Sequence, residues 1–388
     1  MTHDPLTGWD VSLAPGQARL QPHDGRQVVD FSHGDVDAFP PLPAALEHVT
    51  RALTTPGAAY SPYRGHAAVR ARLAPRLAGL LGSPVDPDRE LIVTPGTQAG
   101  LFLALSATVR AGDRVAVVEP DYFANRRIVE VLGAQPVPVP LDYADPARPA
   151  ELDLDGLRSA FAGGARVLVL SNPNNPTGAV HPERQVRAIA DLAREHDVLV
   201  VVDQLYCRLL YPGTEFTHLR RLLDPDRCVT LLGPSKTESL SGFRTGVAIA
   251  GPAVVDRMEQ LLGIVSLRTA GYNQFALDAW LDEPAGWLAE RVAAHQAIRD
   301  DLVAALRNGG LAVRPTEAGS YLFPRLPDLP VSGREFVARL RAAEGIVVTA
   351  GTEFAAGTGN SVRLNFSQDH TRALDAVRRL TAFAGTLR

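Results

Sequence analysis

From about residue 91 to residue 250 the chain alternates short, nearly continuous apolar runs with stretches of helical periodicity, and no other feature restricts its fold as much. Runs without polar interruption need cover on both faces. A parallel sheet between layers of helices supplies it, and parallel neighbours need long crossovers of the kind a helix provides. The runs are Leu91-Ile92-Val93, Arg114 to Val118, Arg166 to Leu170, Val198 to Val202, Val229 to Leu232 and Gly246 to Ala250. The expected class is α/β, with a mostly parallel sheet covered by helices on both faces of a large domain, plus a smaller α+β domain formed by the N-terminal arm and the C-terminal part. Residues 1–45, rich in Gly, Pro and polar side chains, read as an arm on the small-domain side, and residues 46–284 as the large domain. Helices are expected over Pro43 to Leu53 and Ala67 to Leu81. Residues 285–388 read as the small domain, opening on a helix over Ala285 to Asn308, continuing in short strands and closing on a helix from about His370 to Leu387.

Most of the apolar runs end in a chemically equipped segment. In order these are Thr94-Pro95-Gly96-Thr97-Gln98, Glu119-Pro120-Asp121-Tyr122, the stretch Ser171 to Gly178, Asp203-Gln204-Leu205-Tyr206, and Gly233 to Arg244. Ligands of open α/β sheets bind beyond the carboxyl ends of the strands, so these five segments should meet in one crevice.

The last segment holds the single lysine among 39 Lys and Arg residues, Lys236. An ε-amine can lose its proton and attack a carbonyl, which a guanidinium cannot do. Ser235 before it and Arg244 eight residues after it are natural phosphate ligands. An amine beside a phosphate site suggests pyridoxal phosphate; the plain alternative is a solvated lysine left by a compositional bias toward Arg. The turn Gly96-Thr97-Gln98, followed by a helical pattern, offers free N–H groups to a phosphate, or is only a turn. Asp203 ends the most apolar run, where a carboxylate needs a cationic partner or must reach water. A pyridinium nitrogen would serve as that partner. Tyr206 and Asn175 could then reach the ring oxygen, and Tyr122 either stacks on the ring or is an ordinary half-buried tyrosine. Arg363, in the alternating stretch Val362 to Phe366, is either an edge residue facing water or a fork for a carboxylate.

Composition excludes several classes. A net charge of −4 without a basic block gives no footprint for nucleic acid. Two cysteines, Cys207 and Cys228, make no disulfide framework and no metal spacing, and the ten histidines are scattered, so no metal is expected. No run approaches a membrane span, and the polar start Met1 to Asp10 lacks the layout of a signal peptide, so the expected compartment is the cytoplasm.

As a set, Ser171 to Gly178, Asp203 with Tyr206, Ser235-Lys236 with Arg244, and Arg363 resemble the fold-type I pyridoxal-phosphate enzymes of the class I/II aminotransferase family, from about Gly34 to Ser367. The resemblance implies pyridoxal 5'-phosphate as cofactor, bound in residues 46–284 and linked to Lys236, which also moves the proton. It implies Asp203 on the pyridine nitrogen, Tyr206 and Asn175 on the ring oxygen, and Tyr122 on the ring face. Gly96, Thr97, Gln98, Ser235 and Arg244 would hold the phosphate. Arg363 would grip the substrate carboxylate, with Gly34 of the arm lying against the substrate. Tyr60 and Thr269 resemble residues that serve the phosphate of a neighbouring subunit, so a homodimer with shared sites is implied. The implied reaction is ping-pong transfer of an amino group between an L-amino acid and a 2-oxo acid. A lyase, cyclase or oxidase on the same scaffold is the alternative, and a non-catalytic ligand sensor a more distant one. This chain departs from the family pattern at Gly233, where Ser or Thr is usual, at Gln204 and at Ala350. Only Arg268 lies near the place of a clamp for a second substrate carboxylate.

Overall fold

The computed structural model describes residues 28–145 and 148–387, so the first 27 residues of the expected arm lie outside the described residues. A two-residue strand, β1 (Val29–Asp30), precedes two helices, α1 (Pro43–Leu53) and α2 (Ala67–Leu81). Pro43 stands in the first turn of α1, where a missing N–H breaks no helical bond, and Gly82 stops α2 in the left-handed conformation. The alternating region then forms β2 (Leu91–Thr94), α3 (Thr97–Thr108), β3 (Arg114–Glu119), α4 (Phe123–Val131), β4 (Gln135–Asp142), β5 (Glu151–Leu152), α5 (Leu154–Ala162), β6 (Ala165–Ser171), α6 (Glu183–Glu195), β7 (Leu199–Asp203), β8 (Cys228–Leu232), β9 (Gly246–Ile249) and α7 (Pro252–Val265).

Strands β2 to β9 make one eight-stranded sheet in the order β2-β9-β8-β7-β6-β3-β4-β5. The run β8-β7-β6-β3-β4 is parallel throughout, whereas β9 is antiparallel to both neighbours and β5 to β4. Strand alternation divides the apolar side chains between two layers. Val115, Val117, Val169 and Val201 pack with Leu101 of α3, Val129 of α4 and Met258 of α7. Ala116, Val118, Leu168 and Val200 pack on the other face with Phe161 of α5 and Ile189 of α6. This is the α/β class expected, with a mostly parallel sheet flanked by helices.

β4 is a strand that the sequence reading passed over, because it reads Gln-Pro-Val-Pro-Val-Pro-Leu-Asp. Proline cannot donate to a ladder and demotes a strand pattern. Here Pro136, Pro138 and Pro140 recur at period two, so their missing donors all fall on one edge of the strand. That edge meets only the two-residue β5, while Val137 and Val139 keep their N–H groups for β3.

The C-terminal part comprises α8 (Trp287–Asn308), β10 (Tyr321–Leu322), α9 (Gly333–Glu344), β11 (Ile346–Val347), β12 (Thr349–Ala350), β13 (Val362–Asn365) and α10 (His370–Thr386). β13 lies between β10 and β12, antiparallel to both, and β1 pairs with β11. Val29, Phe31 and Phe39 share one core with Leu302, Phe336, Leu364 and Leu380. Helix α9 replaces what the sequence reading took as strands only. Its cap was legible, since Ser332 accepts from the Glu335 N–H in a Ser-x-x-Glu start.

Candidate active site

A cavity of about 260 Å³ opens at the carboxyl edge of the sheet, lined by residues from all five equipped segments and from β13. All five segments follow parallel-running strands or β2, which points the same way as β8 because it is antiparallel to the antiparallel β9. Arg244 reaches the same edge because β9 begins there, two residues later.

Backbone close approach builds one end of the cavity. Gly96 has φ 81°, and a Cβ on it would stand 2.6 Å from Nη2 of Arg244, so only glycine lets that guanidinium lie over the start of α3. Arg244 is itself left-handed (φ 52°) and donates Nη1 to the Ser241 carbonyl at 2.9 Å. Thr97, the first residue of α3, has a buried hydroxyl with no partner among the described residues. The departure at Gly233 has its reason here. A Cβ at Gly233 would fall 2.8 Å from the Thr97 hydroxyl, so a serine and Thr97 compete for one space. Tyr122 donates its hydroxyl to Gln98 Oε1 at 2.8 Å.

The middle of the cavity holds Asp203, Tyr206, Asn175 and Lys236. Asp203 Oδ1 accepts from the Leu205 N–H at 3.0 Å. Burial pushes its pKa up to about 6, against the pull of that hydrogen bond and of the Lys236 charge. The Tyr206 hydroxyl is buried without a partner among the described residues, and burial holds its ionisation well above the usual phenol range. Behind it, ring centroids 5.4 Å apart, stands Tyr321 of β10. Burial would raise the Tyr321 phenol too, but the charges of Lys236 and Arg363 bring it below the ordinary value.

Arg363, from the centre of β13, is 6% exposed. It donates to Asn175 Oδ1 at 3.0 Å and to the Ser32 carbonyl at 3.1 Å, and lies over the Tyr321 ring at 4.2 Å. No carboxylate pairs with it among the described residues, and its Nε has no partner there. A buried guanidinium without an anion is costly, which marks the space before it as a carboxylate position. Gly34 lines an adjoining cavity of about 140 Å³ that shares Ser235, Lys236 and Ser241 with the first.

Two expected residues lie elsewhere. Tyr60 is 76% exposed, outside the cavity, with the Arg268 guanidinium over its ring at 5.2 Å. Thr269 is fully buried within the single chain and gives its hydroxyl to the Val93 carbonyl at 3.0 Å.

Sequence reasoning also missed residues. Asp121, buried, ties two strand-end loops together by accepting from the backbone N–H groups of Ser171 (2.7 Å) and Tyr122 (2.6 Å) and from the Ser171 hydroxyl. Desolvation raises its pKa well above the usual carboxylate range. Its signal was its place in an equipped strand end. Tyr321 and Ser32 line the cavity with no local signal at all, because pairing of distant strands brings them there.

A sheet of this order, with the only lysine of the chain at its carboxyl edge beside a half-buried aspartate, defines the fold-type I scaffold on which pyridoxal-phosphate enzymes are built. The family model for aminotransferase class I and II matches residues 26–380, and the chain belongs to that family. A crystal structure of an aspartate aminotransferase from Rhodobacter sphaeroides is similar at a TM-score of 0.91 and 52% identity, with 97% of each chain covered. The probable aspartate/prephenate aminotransferase of Thermus aquaticus is 32% identical over 363 residues, 92% of this chain and 91% of its own. The arginine–pyruvate transaminase of Pseudomonas aeruginosa is 26% identical over 385 residues, 99% and 96% of the two chains. The protein is a transaminase. Among the described residues no helix is long and apolar enough to cross a membrane, and no group of three or more His, Cys, Asp or Glu is placed to hold a metal ion.

Proposed function

We propose that the cavity binds pyridoxal 5'-phosphate at Lys236, and that the chain works as a homodimer on an L-amino acid and a 2-oxo acid in two half-reactions. One observation carries the reading: the chain's single lysine, a half-buried carboxylate and a buried guanidinium with no carboxylate partner among the described residues share one cavity. The residues present fit the cofactor. The unpartnered hydroxyls of Thr97 and Tyr206 and the guanidinium seated against Gly96 are donors awaiting oxygen acceptors.

When bound, the cofactor supplies an electron sink for the carbanion that forms at the substrate α-carbon. The N–H groups and side chains of Gly96, Thr97, Gln98, Ser235 and Arg244 would hold its phosphate at the start of α3. Asp203 would keep the ring nitrogen protonated, since a cation at that point draws the carboxylate toward its ionised form. Tyr206 and Asn175 would donate to the ring oxygen, and Tyr122 would cover one ring face. Arg363 would clamp the α-carboxylate with Gly34 nearby, and its bond to Asn175 ties the substrate position to the ring position. Lys236 Nζ would move the proton from the substrate α-carbon to the cofactor carbon that takes the amino group, and would move a proton the opposite way in the second half-reaction.

Lys236→Arg tests this directly. The variant should fold and melt like the parent yet lose turnover, because Arg keeps the charge and cannot form the link. Borohydride reduction of the cofactor-loaded parent should fix the cofactor at Lys236 alone. A label elsewhere, or an active Lys236→Arg protein, overturns the assignment.

A further inference from the structure

Two residues beyond Lys236 stands Glu238, whose side chain is only 6% exposed. Its partner is Arg208, five residues after Asp203 in the loop that follows β7. Arg208 is itself buried, its side chain 8% exposed, and works as a fork. Nη1 donates to Glu238 Oε1 and Nη2 donates to Glu283 Oε1. Glu283 lies four residues before the start of α8, where the chain passes from the sheet to the C-terminal part. One guanidinium therefore joins three segments: the loop of Asp203 and Tyr206, the turn of Lys236, and the junction with the C-terminal part.

The Lys236 turn needs such a restraint. It is closed by the Ser239 N–H on the Lys236 carbonyl at 3.1 Å and by the Leu240 N–H on the Pro234 carbonyl at 3.0 Å. Ser239 takes a left-handed φ of 58°, unfavourable for a residue with a Cβ, and the buried Thr237 hydroxyl has no partner among the described residues. Arg291 of α8 donates to Ser239 Oγ at 3.3 Å and to the Pro40 carbonyl at 2.6 Å. The turn is thus gripped from outside by two arginines. A buried ion pair adds little net stability, because desolvation offsets its attraction, whereas a planar fork between two carboxylates fixes geometry. Burial pushes Glu238 up to about 7 although Arg208 pulls it down, with Glu283 adding to the rise.

We propose that Arg208 is a positioning residue for the reaction: by holding Glu238 and Glu283 at once, it sets where the Lys236 amine stands relative to Asp203. The inference rests on the role given to Lys236 above. Arg208 touches neither substrate nor cofactor and acts through the turn.

Arg208→Met alone would strand two buried carboxylates, so the decisive variant is Arg208→Met/Glu238→Gln/Glu283→Gln, which removes the fork and its charges together. Two measurements are made on the full chain. In the cofactor-loaded protein, kcat should fall about 100-fold while KM for amino acid and oxo acid stays within about threefold, the pattern of a misplaced catalytic group. In the cofactor-free protein, pulse acylation read by mass spectrometry follows the one lysine, with the N-terminal amine as internal standard. The pH profile of Lys236 acylation should be displaced while that of the standard stays in place. A merely structural role would lower the melting temperature and leave the profile where it is. A folded triple variant whose kcat and acylation profile match the parent within about twofold overturns the proposal. Should the triple variant not fold, Glu283→Gln, which keeps the Arg208–Glu238 arm, is read by the same two measures, and an unchanged profile there also overturns it. If the profile is displaced but the parent itself transaminates no amino acid, the reaction assigned to the site fails and the role of Arg208 in placing the amine stands.

Discussion

Asp203 shows what a single residue contributes and what it costs. Its folded pKa, about 6, lies above the unfolded carboxylate value of 3.8 because burial disfavours the charge. The folded state therefore takes up a proton before the unfolded state does as the pH falls. The penalty is absent below the unfolded value and is felt in full once the pH has risen through about 6. Asp203→Asn should thus stabilise the cofactor-free protein above that pH by about 3 kcal/mol and change little near pH 4, which calorimetry across the range will read. With cofactor bound the sign should reverse, since the carboxylate then faces a cation. An Asn variant no more stable than the parent at pH 8 without cofactor would show that the Asp203 carboxylate is satisfied within the protein. At this scale the chemistry was legible in the chain. The roles proposed for Lys236, Asp203 and Arg363 rest on what their side chains can do, and that follows from residue type. Burial was not legible. Thr269 has the right hydroxyl for a phosphate, but tertiary packing places it against the Val93 carbonyl.

At the scale of elements, the start of α3 is where backbone conformation and function meet. Gly96→Ala forces a side chain into positive φ and against Arg244 Nη2, and should cost about 1–3 kcal/mol, felt mainly as weaker cofactor binding because the guanidinium must move. Equilibrium dialysis of cofactor from the variant measures it; unchanged affinity would place the phosphate away from Gly96 and Arg244. The helices and strands themselves followed from periodicity wherever the pattern was uniform, as in α1, α2 and β3. β4 and α9 were missed for opposite reasons. Three prolines argued against a strand that succeeds because they all face one edge, and the Ser332 cap of α9 was present but unread beside short apolar runs.

At the scale of the whole molecule, Tyr60, Tyr63, Ile264, Val265 and Leu267 are large apolar side chains left in the open, with Arg268 lying over both tyrosines. An exposed patch of this kind suits a second copy of the chain. We expect Tyr60 to reach the partner's phosphate from this face, in a site where Gly233 has no side chain to offer. Tyr60→Phe should weaken cofactor binding by about 1–2 kcal/mol, the scale of a hydrogen bond to a charged group, and dilution to monomer should release cofactor. Sedimentation with cofactor absorbance reads both at once, and a cofactor-loaded active monomer would show the site complete in one chain.

By itself the sequence determined the class of fold and which residue types the strand ends carry. An uninterrupted apolar run must be covered on both faces, and a lone lysine flanked by residue types that suit a phosphate points to amine chemistry that Arg cannot perform. Only the tertiary structure decided which neutral-looking residues stand beside that chemistry. Tyr321 arrives through the pairing of β10 with β13, and the Gly233 departure makes sense only against the Thr97 hydroxyl, 136 positions away in the chain. Arg208, Glu238 and Glu283 carry no motif. Their meaning is a distance between side chains, and distances between remote parts of a chain are set by packing, not by spacing along it.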